Sequence, residues 1–563
     1  MTRRTWLLPD AIPDADLQRI GDYPPLHAQI LFRRGHRSPQ AVARFLAPGA
    51  TPGSGDTSLQ GMEAAVDRLL AARRTGGKVV IFGDYDADGV TATAILLDVL
   101  SELGWDVSHY IPNRFHEGYG LSETALREIA ASNPAVVVTV DCGIRSLSEV
   151  AWAQARGMDV IITDHHQPGE ELPPAWAVIN PRRRDETYPF TDLAGSGVAY
   201  KLAQAVCRAV GSADPAHALD LVALGTIADL APLVGENRDL VAGGLIRTNR
   251  EPRPGIAALV AVAGLRAGAV TSSAIGFALG PRLNAAGRLQ SADLALSLLR
   301  ASTASEAEAY ARTLDDLNRE RQRLTQETLE QARAMILAEG ELPPVLIAGA
   351  AEFPEGVVGL AAARLVEEFH RPAIVATIGE AVIHGSARSI REFQITEALD
   401  ACREFLLRYG GHSTAAGFAM EKEQWPAFQQ ALQDRARSAF ADGMPAAVLQ
   451  VDAIAGPDDL REDLMRFLEG LEPCGNGNPR PVFLLRDAEV VHSRRVGADG
   501  RHLKLTVRAG RRIWDAIAFR QAGEGGVGKR LDLALYLERN EYMGVPTLQL
   551  NVVDMRPSAG RLI

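Results

Sequence analysis

Three short, predominantly apolar segments separated by helical patterns constrain this chain more than any other feature. KVVIF (78–82), AVVVTV (135–140) and DVIIT (159–163) each offer apolar side chains on both faces. A strand of that kind has no solvent side, so it belongs inside a sheet covered above and below. A helical pattern follows the first two, through TATAILLDVLSELG (91–104) after KVVIF and from Ser146 after AVVVTV. DVSHYI (106–111) adds a fourth strand, with a helix from Ser122 to about Ala131 behind it. Strand and helix in alternation specify an α/β fold with a parallel sheet, whose ligands bind beyond the carboxyl ends of the strands.

Those carboxyl ends are acidic. KVVIF runs into Asp84-Tyr85-Asp86-Ala87-Asp88-Gly89, AVVVTV into Asp141-Cys142-Gly143, and DVIIT into Asp164-His165-His166. Three carboxylates within five residues repel one another unless a cation neutralises them, and Gly83 and Gly89 let the chain bend so that they converge. An EF-hand loop is excluded, because its position 12 here lacks the required carboxylate. Any one of these acids alone could serve as a helix N-cap. Taken together, with paired histidines, they read as a metal site on one edge of the sheet. Asp229, near Thr226 in the helical run DLVALGTIADL (220–230), is a candidate fourth arm. Carboxylates with imidazole and no thiolate suit Mn²⁺ or Mg²⁺, histidine favouring Mn²⁺. So many acids imply two ions, an arrangement suited to phosphoester hydrolysis.

Five regions follow along the chain: a helical leader (1–55) ending in a Gly/Pro-rich loop from Pro48, an α/β catalytic domain (56–300), a long charged connecting helix (301–341), a second α/β domain (342–446) and a C-terminal β-barrel (447–563). The barrel is expected from the strands PVFLL (481–485), HLKLTV (502–507), IWDAIAF (513–519) and LDLALYL (531–537). The net charge of -11 hides an asymmetry. From Arg480 onward 15 Lys and Arg face nine Asp and Glu, a surplus of +6, which leaves -17 for the residues before it. Cations at Arg494, Arg495, Arg501, Lys504, Arg508, Arg511 and Arg512, near Trp514 and Phe519, are the mixture a single nucleic-acid strand requires. Every candidate metal ligand precedes residue 230, so the barrel is expected to supply affinity rather than chemistry. Four scattered cysteines, no signal peptide and no long apolar run point to a reducing cytoplasm and away from a membrane.

DYDADG, VDCG, DHH and GTIAD, in this order, resemble the four core motifs of the DHH phosphoesterases. PNRFHEGYGLS (112–122), GPRLNAAGR (280–288), GSARS (385–389), GGHSTAAGF (410–418) and PCGNGNPRPVF (473–483) extend the resemblance to the RecJ branch, single-strand-specific 5′→3′ DNA exonucleases. The resemblance implies a DHH domain, a DHHA1 domain and an OB-fold. It places one ion on Asp86 and Asp141, with Asp84 on it or just behind, and the other on Asp88, Asp141, His165 and Asp229. His166 would face the scissile phosphate, and Asp164 would orient the histidines. Arg114 and Tyr119 are expected to meet a phosphate and a base, and Arg282, Asn284 and Arg288 to contact the strand backbone between the lobes. Ser386 and Arg388 suit a terminal phosphate, and His412 is expected to open a small-residue helix whose N–H groups bind an anion, with a helix C-cap and a core histidine an equal reading of Gly410-Gly411-His412. Arg494, Lys504, Arg508 and Trp514 are the expected contacts on the barrel, with Trp514 equally able to fill its core. The chain departs from the family at Phe353-Pro354, where relatives carry Trp-His. The implied partners are single-stranded DNA, a single-stranded-DNA-binding protein and a helicase. A DHH phosphodiesterase of oligonucleotides or cyclic dinucleotides would lack the basic barrel, and a non-catalytic RecJ-like scaffold would lack the acids and histidines.

Overall fold

The structure, a computed structural model, describes residues 4–48, 58–114, 117–118, 120–338, 340–497, 500–522, 528–540 and 546–558. The expected loop lies outside them from Gly49 onward, as does Tyr119. Two compact units are formed, the larger by Trp6–Pro281, Leu296–Glu308 and Gln450–Ile563, the smaller by Met1–Thr5, Arg282–Ala295 and Ala309–Leu449.

The larger unit holds a five-stranded parallel sheet of β1 (Val79–Gly83), β2 (Val107–Tyr110), β3 (Val136–Val140), β4 (Asp159–Thr163) and β5 (Ala177–Ile179), in the order β2-β1-β3-β4-β5. All residues of β1 and β3 are buried, as their continuous apolar runs demand. β5, only three residues long, gave no signal in the sequence; its pairing with β4 through Ile161↔Ala177 defines it. Helix α1 (Ala87–Glu102) begins directly beyond β1, and α2 (Glu123–Ala130) starts at Ser122, whose hydroxyl accepts from the Ala125 N–H at 3.1 Å. α3 (Gly195–Ala209), α4 (Leu219–Ala228) and α5 (Gly235–Arg250) follow in the helical second half of the domain. Among the described residues no helix is long and apolar enough to cross a membrane.

α6 (Gly280–Leu289) carries the GPRLNAAGR motif, and α7 (Ala304–Ala338) is one unbroken helix of 35 residues, as its uninterrupted pattern predicts. The smaller unit is built on β6 (Leu346–Ala350), β7 (Ala373–Ile378), β8 (Val382–Arg388), β9 (Arg408–His412) and β10 (Ala415–Glu421), in the order β9-β10-β8-β7-β6. Helix α8 (Glu355–Phe369) lies on one face, with Phe353, Val358, Ala362 and Leu365 in one buried cluster with Ala373 and Val375. Phe353 is 1% exposed and Pro354 stands at the helix cap position, so this pair packs the domain and starts α8.

The barrel closes from β12 (Phe483–Val496), β13 (His502–Ala509), β14 (Arg512–Ala518), β15 (Arg530–Asn540) and β16 (Thr547–Pro557), with short β11 (Ala453–Ile454) alongside. β12 pairs with both β13 and β15, which removes the free edges. Leu503, Leu505, Val507 and Ala509 alternate inward. Ile20, Leu26, Ile30, Leu31 and Val42 from the N-terminal helices join the same hydrophobic core, so the leader and the barrel fold together.

Candidate metal centre

The acids meet because three parallel neighbours end at one level. Val140 pairs with Gly83 on one side and Thr163 on the other, which aligns Asp84, Asp141 and Asp164 one residue further on. Asp86 caps α1, its Oδ1 accepting from the N–H groups of Asp88 (2.9 Å) and Gly89 (3.1 Å). The tight turn needs glycine at 89, where a Cβ would lie 2.6 Å from the Asp84 carbonyl oxygen. Asp141 adopts left-handed backbone, with φ 61. That conformation is uncommon for a residue with a side chain and clusters at functional sites.

Asp88 is 1% exposed and accepts from the first N–H groups of α3, Gly195 N at 2.7 Å and Ser196 N at 3.0 Å. The helix terminus thus holds the carboxylate in place. Glycine is required on both sides. A Cβ at Gly195 would sit 2.7 Å from Asp141 Cβ, and one at Gly225 would collide with Asp88, Thr91 and Ser196. These two glycines and Ser196 belong to the site, and sequence reading missed them because they touch it only through packing and backbone N–H groups. Asp229 follows the end of α4 as its cap residue.

His165 Nε2 lies 3.0 Å from Asp141 Oδ1, 3.9 Å from Asp229 Oδ2 and 4.0 Å from Asp88 Oδ2. Potential ligand atoms converge within 4.8 Å in three groups: Asp84, Asp86 and Asp141; Asp88, His165 and Asp229; and Asp141, His165 and His166. Asp164 has another task. It accepts from the N–H groups of Ile144 (3.0 Å), His165 (2.7 Å) and His166 (3.0 Å), and lies 2.8 Å from His166 Nδ1. Burial alone would lower the His166 pKa, but the hydrogen bond and charge of Asp164 outweigh it and lift the imidazole to about 8. The same contacts hold Asp164 below the usual carboxylate range despite its burial.

The other acids move the opposite way. Burial, then the charge of Asp86, raises Asp88 to about 6. Burial, then Asp88 and Asp86, raises Asp229 to about 8. Asp141 and Asp84 are pushed well above the usual range, mainly by burial. Asp84 Oδ1 is buried with no hydrogen-bond partner among the described residues. A buried carboxylate oxygen of this kind needs a cation, and an oxygen-rich donor set with one or two imidazoles fits Mn²⁺ or Mg²⁺.

Arg114 sits over the Tyr85 ring, 5.0 Å from its centroid, and its charge reaches Asp84. In the smaller unit Arg282 is held by Asp315 at 2.9 Å, Asn284 lies on α6, and Arg288 Nη1 donates to the Gly356 carbonyl at 3.2 Å. Arg388 Nη1 donates to Ser386 Oγ at 3.0 Å, and Gly359 of α8 lies so close that a Cβ would be 2.8 Å from that oxygen. His412 does not open a helix. It ends β9 and is exposed, because the small residues after it form β10, whose alternation buries Ala416 and Phe418 and pairs Gly417 with Ser386. The expected helix-terminus anion site is therefore absent at His412. Trp514 is likewise corrected as a strand contact: it is 7% exposed within the barrel core, whereas Arg494 is exposed, Arg508 pairs with Glu489 at 3.1 Å and Lys504 with Asp515 at 3.5 Å.

Family comparisons agree with this architecture. Residues 78–226 match the DHH family N-terminal domain, 343–438 the DHHA1 domain and 451–554 the RecJ OB domain. The chain is 38% identical over 543 residues to the single-stranded-DNA-specific exonuclease RecJ of Bacillus subtilis, covering 96% of this chain and 69% of that protein. The Escherichia coli protein of the same name is 36% identical, with 95% and 96% covered. The crystal structure of Thermus thermophilus RecJ in complex with Mn²⁺ superimposes with a TM-score of 0.86 at 32% identity, over 99% of this chain and 80% of that one. Three ordered domain matches and relatives aligned over most of their length place this chain in the RecJ family of DHH phosphoesterases.

Proposed function

We propose that this chain hydrolyses single-stranded DNA from its 5′ end, releasing 5′-mononucleotides with the help of two divalent cations, Mn²⁺ or Mg²⁺, in the recombination and repair of DNA. The observation that carries the reading is the sharing of Asp141 and His165 among three convergent groups of potential ligands. Asp84, Asp86 and Asp141 would hold one ion; Asp88, Asp141, His165 and Asp229 would hold the other. When bound, such a pair supplies Lewis acidity to the scissile phosphate and to the attacking water.

The chain's own groups do the rest. Asp164 fixes the His166 ring through Nδ1. Asp164 holds the ring toward its protonated form, and a protonated His166 would give its proton to the departing 3′ oxygen as the phosphorus–oxygen bond breaks. Arg114 contacts a phosphate of the strand, and Arg282, Asn284 and Arg288 contact its backbone. Ser386 and Arg388 receive the 5′-terminal phosphate, with a hydroxyl and a guanidinium fork side by side. Arg494, Lys504 and Arg508 grip the strand at the barrel. An enzyme of this kind works in the cytoplasm, beside a helicase that exposes single strands and the protein that coats them.

Replacing Asp141 tests the reading. Asp141→Ala removes the one carboxylate common to two of the groups, and hydrolysis of single-stranded DNA in Mn²⁺ should fall at least about 1,000-fold, or ~4 kcal/mol. Near-normal Mn²⁺-dependent activity in a variant with an unchanged circular dichroism spectrum would refute the shared-ligand assignment.

A further inference from the structure

Asp229 stands on a turn that is held both by α4 and by a distant part of the chain. Beyond it Leu230 takes left-handed backbone, φ 61, and leaves its side chain 70% exposed. Two bonds to the end of α4, Leu230 N to Ile227 O and Ala231 N to Thr226 O, are both 3.2 Å long. Asp229 N donates to the Gly225 carbonyl at 2.9 Å and Asn237 Nδ2 to the Pro232 carbonyl at 3.1 Å, and further support comes from more than 240 residues away, in the loop that leads into the barrel.

Asn476 holds this turn from both ends. Its Nδ2 donates to the Leu230 carbonyl at 2.8 Å, and its own carbonyl accepts from Leu233 N at 2.7 Å. Glycines flank it for a steric reason: a Cβ at Gly475 would lie 2.8 Å from Leu233 Cδ1, and Gly477, at φ 72, faces Pro232 and Val234. The loop behind is locked. Gly475 and Asn478 exchange backbone bonds of 2.9 and 3.2 Å, and buried Asn478 donates to the carbonyls of Leu471 (3.0 Å) and Pro473 (2.8 Å). Arg238, on α5 just after the turn, donates to the carbonyls of Leu471 (3.0 Å), Glu472 (2.9 Å) and Pro473 (2.8 Å). Ser272 Oγ completes the clamp by donating to the Cys474 carbonyl at 2.6 Å. A flexible pad could not set a ligand's position, but one fixed at this many points can.

We propose that Asn476 is a positioning residue of the metal centre. By holding the Leu230 carbonyl and the Leu233 amide, it keeps the Asp229 carboxylate where a cation shared with Asp88 and His165 requires it. This rests on the reading that Asp229 is a ligand. Together with Arg238 and Ser272, Asn476 also ties the barrel end of the chain to the catalytic one.

The test uses full-length Asn476→Ala, Asn476→Asp and Asp229→Ala. Asn476→Asp keeps the shape but replaces the donor with a carboxylate facing the Leu230 carbonyl. Mn²⁺ binding is measured by calorimetry, and thermal melting in EDTA reports the fold. Both Asn476 variants should bind Mn²⁺ about 10-fold more weakly with melting in EDTA unchanged, and millimolar Mn²⁺ should restore their kcat. Wild-type Mn²⁺ affinity in both Asn476 variants, alongside weakened binding in Asp229→Ala, overturns the positioning role. So does lowered melting in EDTA with Mn²⁺ affinity intact, which makes Asn476 merely structural. If Asp229→Ala itself binds Mn²⁺ normally, the ligand reading fails first.

Discussion

Asp88 and Asp229 show how a folded chain stores a preference for cations in its protonation states. Burial and mutual repulsion raise them to about 6 and about 8, while an unfolded carboxylate titrates near ~4. A raised folded pKa means that the native state binds more protons than the unfolded one between those values. Stability from this source is therefore present at low pH and lost as pH rises through the folded pKa. His166, raised to about 8, acts in the same direction, and Asp164, depressed, matters only at more acidic pH. The protein in EDTA should consequently melt at a lower temperature at pH 8 than at pH 6. Mn²⁺ competes with the same protons, so its apparent affinity should rise over that interval and its stabilising effect should be larger at pH 8. Melting curves at both pH values, with and without Mn²⁺, check this; an EDTA melting temperature that rises from pH 6 to 8 contradicts it. Asp84, Asp141 and Asp164 were legible in the sequence because each follows an apolar strand, whereas Asp229 ends a helix and was found only as a candidate beside Thr226. Gly195, Ser196 and Gly225 were not legible, since nothing local reveals that a glycine's missing Cβ makes room for an aspartate far earlier in the chain.

At the scale of elements, period-two burial decided what sequence reading left open. Trp514 and Phe519 looked alike as stacking surfaces, yet Trp514 shares the inward face of the barrel with Leu505 and Val507, and Phe519 is 52% exposed. The same alternation turned the expected helix after His412 into β10, where a run of small residues pairs with β8 instead of coiling. β5 stayed invisible because three residues are too few to establish a pattern. The two faces of the barrel should separate by experiment. Trp514→Ala should cost ~3–5 kcal/mol of stability, because it opens a large cavity in the core. Arg494→Ala with Lys504→Ala should change melting little, since exposed charges and surface ion pairs contribute less than ~1 kcal/mol. That double variant should flatten the salt dependence of single-strand binding, by about 0.7 in the log–log slope for each phosphate no longer engaged. An unchanged slope would show that β12 and β13 do not carry the strand.

For the whole molecule, the sequence suggested a division of labour that the structure makes less clean. Because every candidate ligand precedes residue 230, the barrel looked removable. Residues beyond 447, however, supply the carbonyls that receive Arg238, the Asn476 support of the Asp229 turn, and most of the core that covers Ile30 and Leu31. A truncation there exposes apolar surface and loosens the centre, so substitutions on the barrel surface are the cleaner probe of affinity. Domain order and fold class were readable, since strand periodicity and strand-end acids are local signals. How the leader joins the barrel was not, because nothing in either segment alone names its partner. The central claim, metal-dependent hydrolysis of single strands from the 5′ end, is tested most directly by digesting one single-stranded oligonucleotide labelled at its 5′ or its 3′ end, in Mn²⁺ and in EDTA. In Mn²⁺ the 5′ label should appear at once as mononucleotide while the 3′ label passes through a ladder of shortening strands, and EDTA should stop both. Early release of the 3′ label, or digestion that continues in EDTA, would contradict the account.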